Sequence, residues 1–202
     1  MVPVHVPGRL LRRALAALAA CVAMGGCIPQ GTMLRAPDVA FEPTPMEVVS
    51  AMLRLADIKP YDTVFDLGCG DGRIVMAAAR FHGARGVCVE LDRHLVYEGR
   101  RTVHQTSIAD RITFLNQDLF TTDIGDATVV MLYLSQEVNL RLRSKLQREL
   151  RPGARVISHA YDMGDWAPRE IVRVTSGGQE RSIYLWVIEG YADNVFASAG
   201  AK

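Results

Sequence analysis

The chain has 202 residues, of which 49% are hydrophobic and 22% charged, and its formal net charge at pH 7 is +1. This composition is typical of a globular domain and excludes disordered, collagen-like and multi-span membrane proteins. Residues 1–26 carry three arginines and no acidic residue, so the remainder is slightly acidic and no specific nucleic-acid binding is expected. The length predicts a single domain, and we expect a monomer.

The N-terminal residues predict an export signal. Three arginines precede an apolar stretch, and small residues then meet a cysteine, which resembles the signal of a bacterial lipoprotein. The apolar stretch is too short to cross a bilayer, which takes about 20 residues. Cys27 is favoured over Cys21 as the modified residue because it leaves a more normal apolar length. The other cysteines, Cys69 and Cys88, are expected to be free thiols that do not decide the compartment.

The expected organisation follows from this signal. Residues 1–27 form the signal segment, and the proline-containing residues 28–43 are predicted to be a linker. Residues 44–190 form the domain and residues 191–202 a tail. Membrane contact is expected only through the N-terminal segment, in a membrane-anchored or periplasmic lipoprotein. The alternative is a translation start at Met24 or Met33, which gives a cytoplasmic protein.

Strands and helices alternate along the domain. Helices are predicted at Pro45–Ala56, Gly72–Phe81 and Arg93–Val103, and along the stripe of Val138, Leu142, Leu146 and Leu150. Strands are predicted at Thr63–Leu67, Gly86–Glu90, Arg111–Leu115, Ala127–Leu134, Ala154–Ser158, Ile171–Thr175 and Arg181–Ile188. The alternation predicts an α/β fold with a doubly wound, mostly parallel seven-stranded sheet that ends in an antiparallel hairpin. Ligands of such sheets bind at the carboxyl ends of the strands.

A glycine-rich turn follows the first predicted strand. Its three glycines, which permit a tight turn and close backbone approach to a ligand, are Gly68, Gly70 and Gly72. The third glycine comes one residue too early for a dinucleotide fingerprint. Asp66 and Asp71 would repel a pyrophosphate, and they favour a ligand that carries positive charges such as an ammonium and a sulfonium.

Two further carboxylates end the next two strands. Glu90 comes 22 residues after Gly68, at the place where a carboxylate accepts hydrogen bonds from ribose hydroxyls. Asp118 follows the third strand, where it is suited to accept from an adenine amino group. Together with Asp66, three carboxylates thus end three successive strands, which predicts a site for a nucleoside-bearing cation.

These motifs resemble those of the class I methyltransferases that depend on S-adenosylmethionine (SAM), over about Thr44 to Ile188. The resemblance implies a Rossmann-like fold and SAM as cofactor, and no metal is expected. It also implies the cofactor-binding residues: Asp66, Gly68 and Gly70 contact the methionine end, and Glu90 contacts the ribose. Leu91 flanks the adenine face, and Asp118 with the Leu119 backbone contacts the adenine edge.

The resemblance also bears on the acceptor. The segment Met131–Gln136 lacks the proline motif of amide and adenine-N6 methylases, and no Pro-Cys for cytosine-C5 attack is present. The stretch Gly70–Val75, with Pro43-Thr44-Pro45 before it, resembles the family that contains the ATP-synthase c-subunit lysine methyltransferase and archaeal protein lysine methyltransferases. This likeness implies a protein substrate with an accessible lysine.

Residues after the fourth and fifth strands are the candidates for the acceptor side. Tyr133 and Ser135 are the candidate catalytic residues, and the candidate substrate-binding residues are His159, Tyr161, Asp162 and Trp166. An apolar passage beside a sulfonium favours the neutral amine that attack requires. Because the acceptor side has no diagnostic motif, a small-molecule or RNA methyltransferase stays open as an alternative. Because SAM is made in the cytosol, a non-catalytic, nucleoside-binding periplasmic lipoprotein stays open as well.

Overall fold

The computed structural model describes residues 35–190. The signal segment, the first part of the predicted linker and the predicted tail lie outside the described residues. The helices are α1 Met46–Leu55, α2 Arg73–His82, α3 Arg93–His104 and α4 Gln136–Glu149. The strands are β1 Thr63–Leu67, β2 Arg85–Glu90, β3 Ile112–Asn116, β4 Val129–Leu132, β5 Arg155–His159, β6 Glu170–Ser176 and β7 Gln179–Val187.

The seven strands form one sheet in the order β3-β2-β1-β4-β5-β7-β6. The first five strands are parallel, and β7 pairs antiparallel with both β5 and β6. The predicted doubly wound sheet with a C-terminal antiparallel hairpin is therefore confirmed. The strand order reverses between β1 and β4, and this switch point is where open α/β sheets bind ligands.

One predicted strand is longer than the observed one. β4 covers four residues, whereas the apolar run predicted a strand over Ala127–Leu134. The run is cut at its start by a turn in which the Ala127 amide donates to the Ile124 carbonyl (3.0 Å). It is cut at its end because Ser135 begins α4 as an N-cap.

Apolar side chains on both faces of the sheet hold the fold together. One face packs Leu142 and Leu146 of α4 against Trp186 of β7. The opposite face packs Met52 of α1 and Ala78 of α2 against the sheet. Complete burial of each large side chain contributes roughly 1.5–3 kcal/mol, so the two layers fix the strand ends that carry the site. Within residues 35–190, no helix combines the length and the apolar character needed to span a bilayer.

Cys69 and Cys88 form a disulfide bond, so the expectation of free thiols is wrong. Cys88 lies on β2 and pairs in register with Asp66 of β1, and Cys69 lies in the glycine-rich turn that follows β1. The parallel pairing brings the two Cα atoms to 5.3 Å although 19 positions separate them in sequence. The disulfide therefore joins the glycine-rich turn to the neighbouring strand.

Removal of this disulfide is expected to lower the free energy of unfolding by about 3 kcal/mol, because the closed loop restricts the unfolded chain. Urea unfolding of the wild type with and without reductant measures the loss. The Cys69→Ala/Cys88→Ala variant is the control, since reductant should not change its stability. Recovery of Cys69 and Cys88 in separate, unlinked peptides after unreduced digestion would contradict the bond.

Candidate active site

The site lies where β1, β2 and β4 end side by side. Leu67 of β1 pairs with Val89 on one side and with Leu132 on the other. The next residues along the three strands are Gly68, Glu90 and Tyr133, so the glycine turn lies between a carboxylate and a phenol. A cavity of about 440 Å³ opens at this point. The predicted site residues that line it are Asp66, Gly68, Glu90, Leu91, Leu119 and Tyr133.

The glycine turn is held in a conformation that disfavours side chains. Gly68 and Gly70 have positive φ angles of 77° and 57°. A Cβ atom at Gly70 would lie 2.1 Å from a ring carbon of Phe41, and one at Gly68 would lie 2.5 Å from Leu134. The Gly68 amide donates to the Val89 carbonyl at 2.8 Å. The turn therefore needs glycine both for its backbone angles and for its close contacts.

Asp66 is a buried carboxylate that lacks a counter-charge. It is 2% exposed, and its Oδ2 atom has no hydrogen-bond partner among residues 35–190. Burial, together with the negative charges of Glu90 and Asp71, raises the pKa of Asp66 to about 8. A buried carboxylate without a partner is costly and suits a cationic ligand. The ammonium of SAM meets this requirement, so the residues present fit the cofactor that the sequence predicts.

Glu90 is buried as well, but its carboxylate is bonded. Its Oε1 atom accepts from the amides of Leu91 (2.7 Å) and Asp92 (2.9 Å), and its Oε2 atom accepts from the Gly70 amide (2.9 Å). A carboxylate offers about four acceptor positions. Three backbone amides occupy three of them, so Glu90 joins the glycine turn to the end of β2 and retains capacity for a ligand hydroxyl.

Asp118 lies beside the cavity and is paired with an arginine. Arg35 donates to it at 2.7 Å, and the Phe120 amide donates to it at 2.9 Å. Partial burial acts to raise the pKa of Asp118, but these two hydrogen bonds outweigh it and hold the pKa below its usual value. The flanking residues Gln117 and Leu119 line the cavity. The predicted adenine-reading role of Asp118 stays a prediction.

Residues 35–44, which we call the strap, cover the cavity, although residues 35–43 fall in the predicted linker. Eight consecutive strap residues, 37–44, contribute to the cavity lining. Phe41 packs on Gly70, and Arg73 donates to the Thr44 carbonyl at 3.0 Å. The spacing of its prolines indicated a linker, whereas the apolar Val39 and Phe41 were the signal that the segment packs against the domain.

The cavity has a strong excess of acidic groups. A single basic residue, Arg73, is part of its described lining, and it is paired with Asp71 at 2.6 Å. The carboxylates that line the cavity are Asp38, Glu42, Asp66, Asp71, Glu90 and Asp92. Such a lining favours cationic ligands and disfavours phosphates.

The Tyr133 ring lines the cavity next to β4, and two further aromatic rings lie beside it. The Tyr133 ring lies 4.0 Å from that of His159 and 6.5 Å from that of Tyr161, measured between centroids. Burial and the nearby Glu42 carboxylate raise the pKa of Tyr133, so the phenol stays neutral. His159 is fully buried, and neither ring nitrogen has a partner in the described part of the chain. Burial, with a smaller effect from the charge of Arg181, lowers the pKa of His159 to about 4.

The predicted residues outside the cavity lining are Gly70, Asp118, His159 and Tyr161, described above, and three others. Ser135 caps α4 by accepting from the Val138 amide at 3.3 Å. Asp162 accepts from Gln136 at 2.7 Å, and Trp166 packs at 5.7 Å from Trp186 beside a separate hollow. The structure assigns these side chains capping and packing contacts, and their catalytic or substrate-binding roles stay predictions.

No group of three or more His, Cys, Asp and Glu side chains within the described range is arranged to hold a metal ion.

Comparisons with known proteins agree with this geometry. Residues 66–170 match the model of the ANTKMT methyltransferase domain. A protein-lysine N-methyltransferase of Saccharolobus islandicus is 39% identical over 153 residues, which are 75% of this chain and 95% of that protein. The adenine nucleotide translocase lysine N-methyltransferase of Mus musculus is 30% identical over 162 residues, which are 80% of this chain and 67% of that protein.

A solved structure is also similar. It is described as an RNA methyltransferase from Salinibacter ruber in complex with S-adenosylhomocysteine. It has 48% sequence identity and a TM-score of 0.70, and the match covers 73% of this chain and 94% of that one. The predicted family and the predicted cofactor are thereby confirmed.

The buried carboxylate predicts a pH-dependent cofactor affinity. Because the pKa of Asp66 is about 8, the group is mostly neutral at pH 6, and its ionised fraction rises about tenfold per pH unit below the pKa. The ammonium of S-adenosylhomocysteine stays protonated in this range. We expect its Kd to fall about tenfold between pH 6 and pH 7, with release of one proton. Calorimetry in buffers of different ionisation enthalpy measures both quantities.

The matched variant for this measurement is Asp66→Asn, which is expected to bind weakly with an affinity that does not change between pH 6 and pH 7. Equal wild-type affinities at the two pH values would show that Asp66 does not provide the counter-charge.

Proposed function

We propose that this chain, which belongs to the ANTKMT methyltransferase domain family and is a SAM-dependent methyltransferase, transfers methyl groups to lysine amines of proteins. The proposal is supported by the relatives that are named for lysine methylation, one of which this chain matches over 95% of that protein's length. The acidic cavity is the observation on this chain that carries the proposal. A lysine side chain arrives as a cation, and a surface rich in carboxylates attracts it.

The chain's own residues have distinct functions in this reaction. Bound SAM supplies a methyl group on a sulfonium. Asp66 provides the counter-charge for the ammonium, and the glycine turn allows the backbone to approach closely. Glu90 holds that turn in place and offers its remaining acceptor capacity to the ribose.

The acceptor lysine has to lose its proton before it attacks. With a reference pKa near 10.4, formation of the neutral amine at pH 7.4 costs about 4 kcal/mol. Tyr133, a neutral phenol that packs against the buried ring of His159, presents an aromatic surface at this side of the cavity. The positive charge of a sulfonium bound beside this surface would disfavour a charged ammonium and lower that cost. Alignment of the amine with the methyl group supplies a further part of the rate enhancement.

A second candidate acceptor is RNA. It is favoured by one observation, the 48% identity to the protein that is described as an RNA methyltransferase. The lining of the cavity opposes it, because six carboxylates and one paired arginine would repel the phosphates that flank a target base. Lysine is therefore the acceptor that the site supports best.

We also propose that the chain is exported as a lipoprotein modified at Cys27. The disulfide between Cys69 and Cys88 supports this localisation, since disulfide bonds persist in oxidising compartments and are rare in the cytosol. An exported enzyme requires a supply of SAM outside the cytosol. A cytoplasmic product that starts at Met24 or Met33 is the alternative.

Transfer of a labelled methyl group tests the acceptor. The purified chain, incubated with methyl-labelled SAM and a cell extract, is expected to label protein, and amino-acid analysis should recover the label as methylated lysine. Asp66→Asn should reduce the incorporation at least tenfold because cofactor binding loses a counter-charge. Asp126→Asn is a control with an equal charge change at an exposed position. Label that is removed by ribonuclease and not by protease would support the RNA candidate instead.

Fractionation of cells tests the localisation. The wild type is expected in the membrane fraction with a modified N-terminal Cys27, which mass spectrometry of the native N-terminus identifies. Cys27→Ser should leave an unprocessed or soluble product, whereas Cys21→Ser should behave like the wild type. A wild-type protein that is absent from membranes and begins at Met24 or Met33 would contradict export.

A further inference from the structure

Glu42 lies on the strap at a position that its neighbours fix. On one side, Phe41 packs on Gly70, and on the other, the Thr44 carbonyl accepts from Arg73 at 3.0 Å. Glu42 itself is exposed and lines the cavity together with Tyr133. Burial and the nearby charge of the Glu42 carboxylate together raise the pKa of the Tyr133 hydroxyl. A residue of the predicted linker thus reaches the side of the cavity that faces the acceptor.

Glu42 differs from most other carboxylates of the cavity in its partners. Asp38 is paired with Arg35 and Arg141, and Asp71 is paired with Arg73. Three backbone amides occupy Glu90. Glu42 forms no ion pair with any residue between positions 35 and 190. Its negative charge therefore remains free to act on a ligand.

The ring of Tyr133 is held beside two other aromatic side chains. The His159 ring packs against it at a tilt, with centroids 4.0 Å apart, and the Tyr161 ring lies 6.5 Å away. A phenol has one donor hydrogen and also accepts hydrogen bonds at its oxygen. The lone pairs of the oxygen of Tyr133, which lines the cavity, can therefore accept a hydrogen bond from an N–H group of a ligand.

We propose that Glu42 and Tyr133 form the binding site for the acceptor amine, an inference that rests on lysine being the acceptor. An amine N–H donates to the Tyr133 oxygen, which directs the nitrogen lone pair toward the methyl group. During transfer the N–C bond forms, the C–S bond breaks, and its electron pair stays on sulfur. The nitrogen becomes a methylammonium that then loses a proton to water. The Glu42 carboxylate stabilises the positive charge that grows on the nitrogen.

Poly-L-lysine is the probe for this site. For the full chain, Glu42→Gln is expected to lower kcat/KM for methylation of poly-L-lysine at least tenfold and to weaken binding of the polymer to the S-adenosylhomocysteine complex. The Kd for S-adenosylhomocysteine should stay within twofold of the wild-type value. The thermal midpoint should stay within about 2 °C of wild type, as expected for a surface substitution. Glu42→Asp should recover part of the activity. Glu170→Gln, an exposed change on β6, is the control.

A double-mutant cycle with Tyr133→Phe tests whether the two residues act together. If both residues act on one amine, kcat/KM of the double variant should be no more than about threefold below that of the less active single variant, because the effects of coupled residues are not additive. Unchanged kcat/KM and polymer binding in Glu42→Gln, or fully additive losses, would overturn the inference while wild-type methylation of lysine stands. A wild type that labels no lysine in poly-L-lysine or in the extract would overturn the proposed function and this inference with it.

Discussion

The geometry of the site depends on the hydrogen bonds that the Glu90 carboxylate accepts. This carboxylate accepts from the amide of the glycine turn and from two amides at the end of β2, and so it fixes the distance between the two strand ends. The turn then presents its backbone to the cavity, and the strap packs on it through Phe41. A neutral side chain at this position would leave three buried amides without a charged acceptor.

Two carboxylates of the site are both buried and yet differ in their chemistry. Glu90 is compensated by the backbone, whereas Asp66 lacks a partner for one oxygen among the described residues and has a pKa near 8. Their proximity is unfavourable in the free protein because the charge of Glu90 adds to the effect of burial and disfavours ionisation of Asp66. A cation bound between them relieves this repulsion. Selectivity for a positively charged ligand is therefore a property of the cavity's own charges as much as of its shape.

Much of the fold and of the cofactor side follows from local patterns in the sequence. The alternation of apolar strands with helical stripes determines the sheet, and the glycines with Asp66 and Glu90 mark the strand ends that meet there. The disulfide was missed because its cysteines become neighbours only through the pairing of β1 with β2. The strap was missed because prolines that indicate a linker are equally compatible with an extended segment that packs on the domain. The acceptor side is harder to predict from the sequence because its residues have no fixed spacing. Tyr133 follows β4, His159 ends β5, and Glu42 precedes the first helix.

The disulfide has a consequence for the thermodynamics of ligand capture. Ordering one residue of a flexible loop costs roughly 1–2 kcal/mol of conformational entropy, and a flexible glycine turn would incur this cost each time a ligand binds. The bond from Cys69 to β2 restricts the turn while the chain folds, before any ligand is present. The entropy is lost once, during folding, and the cavity is preorganised for every later binding event.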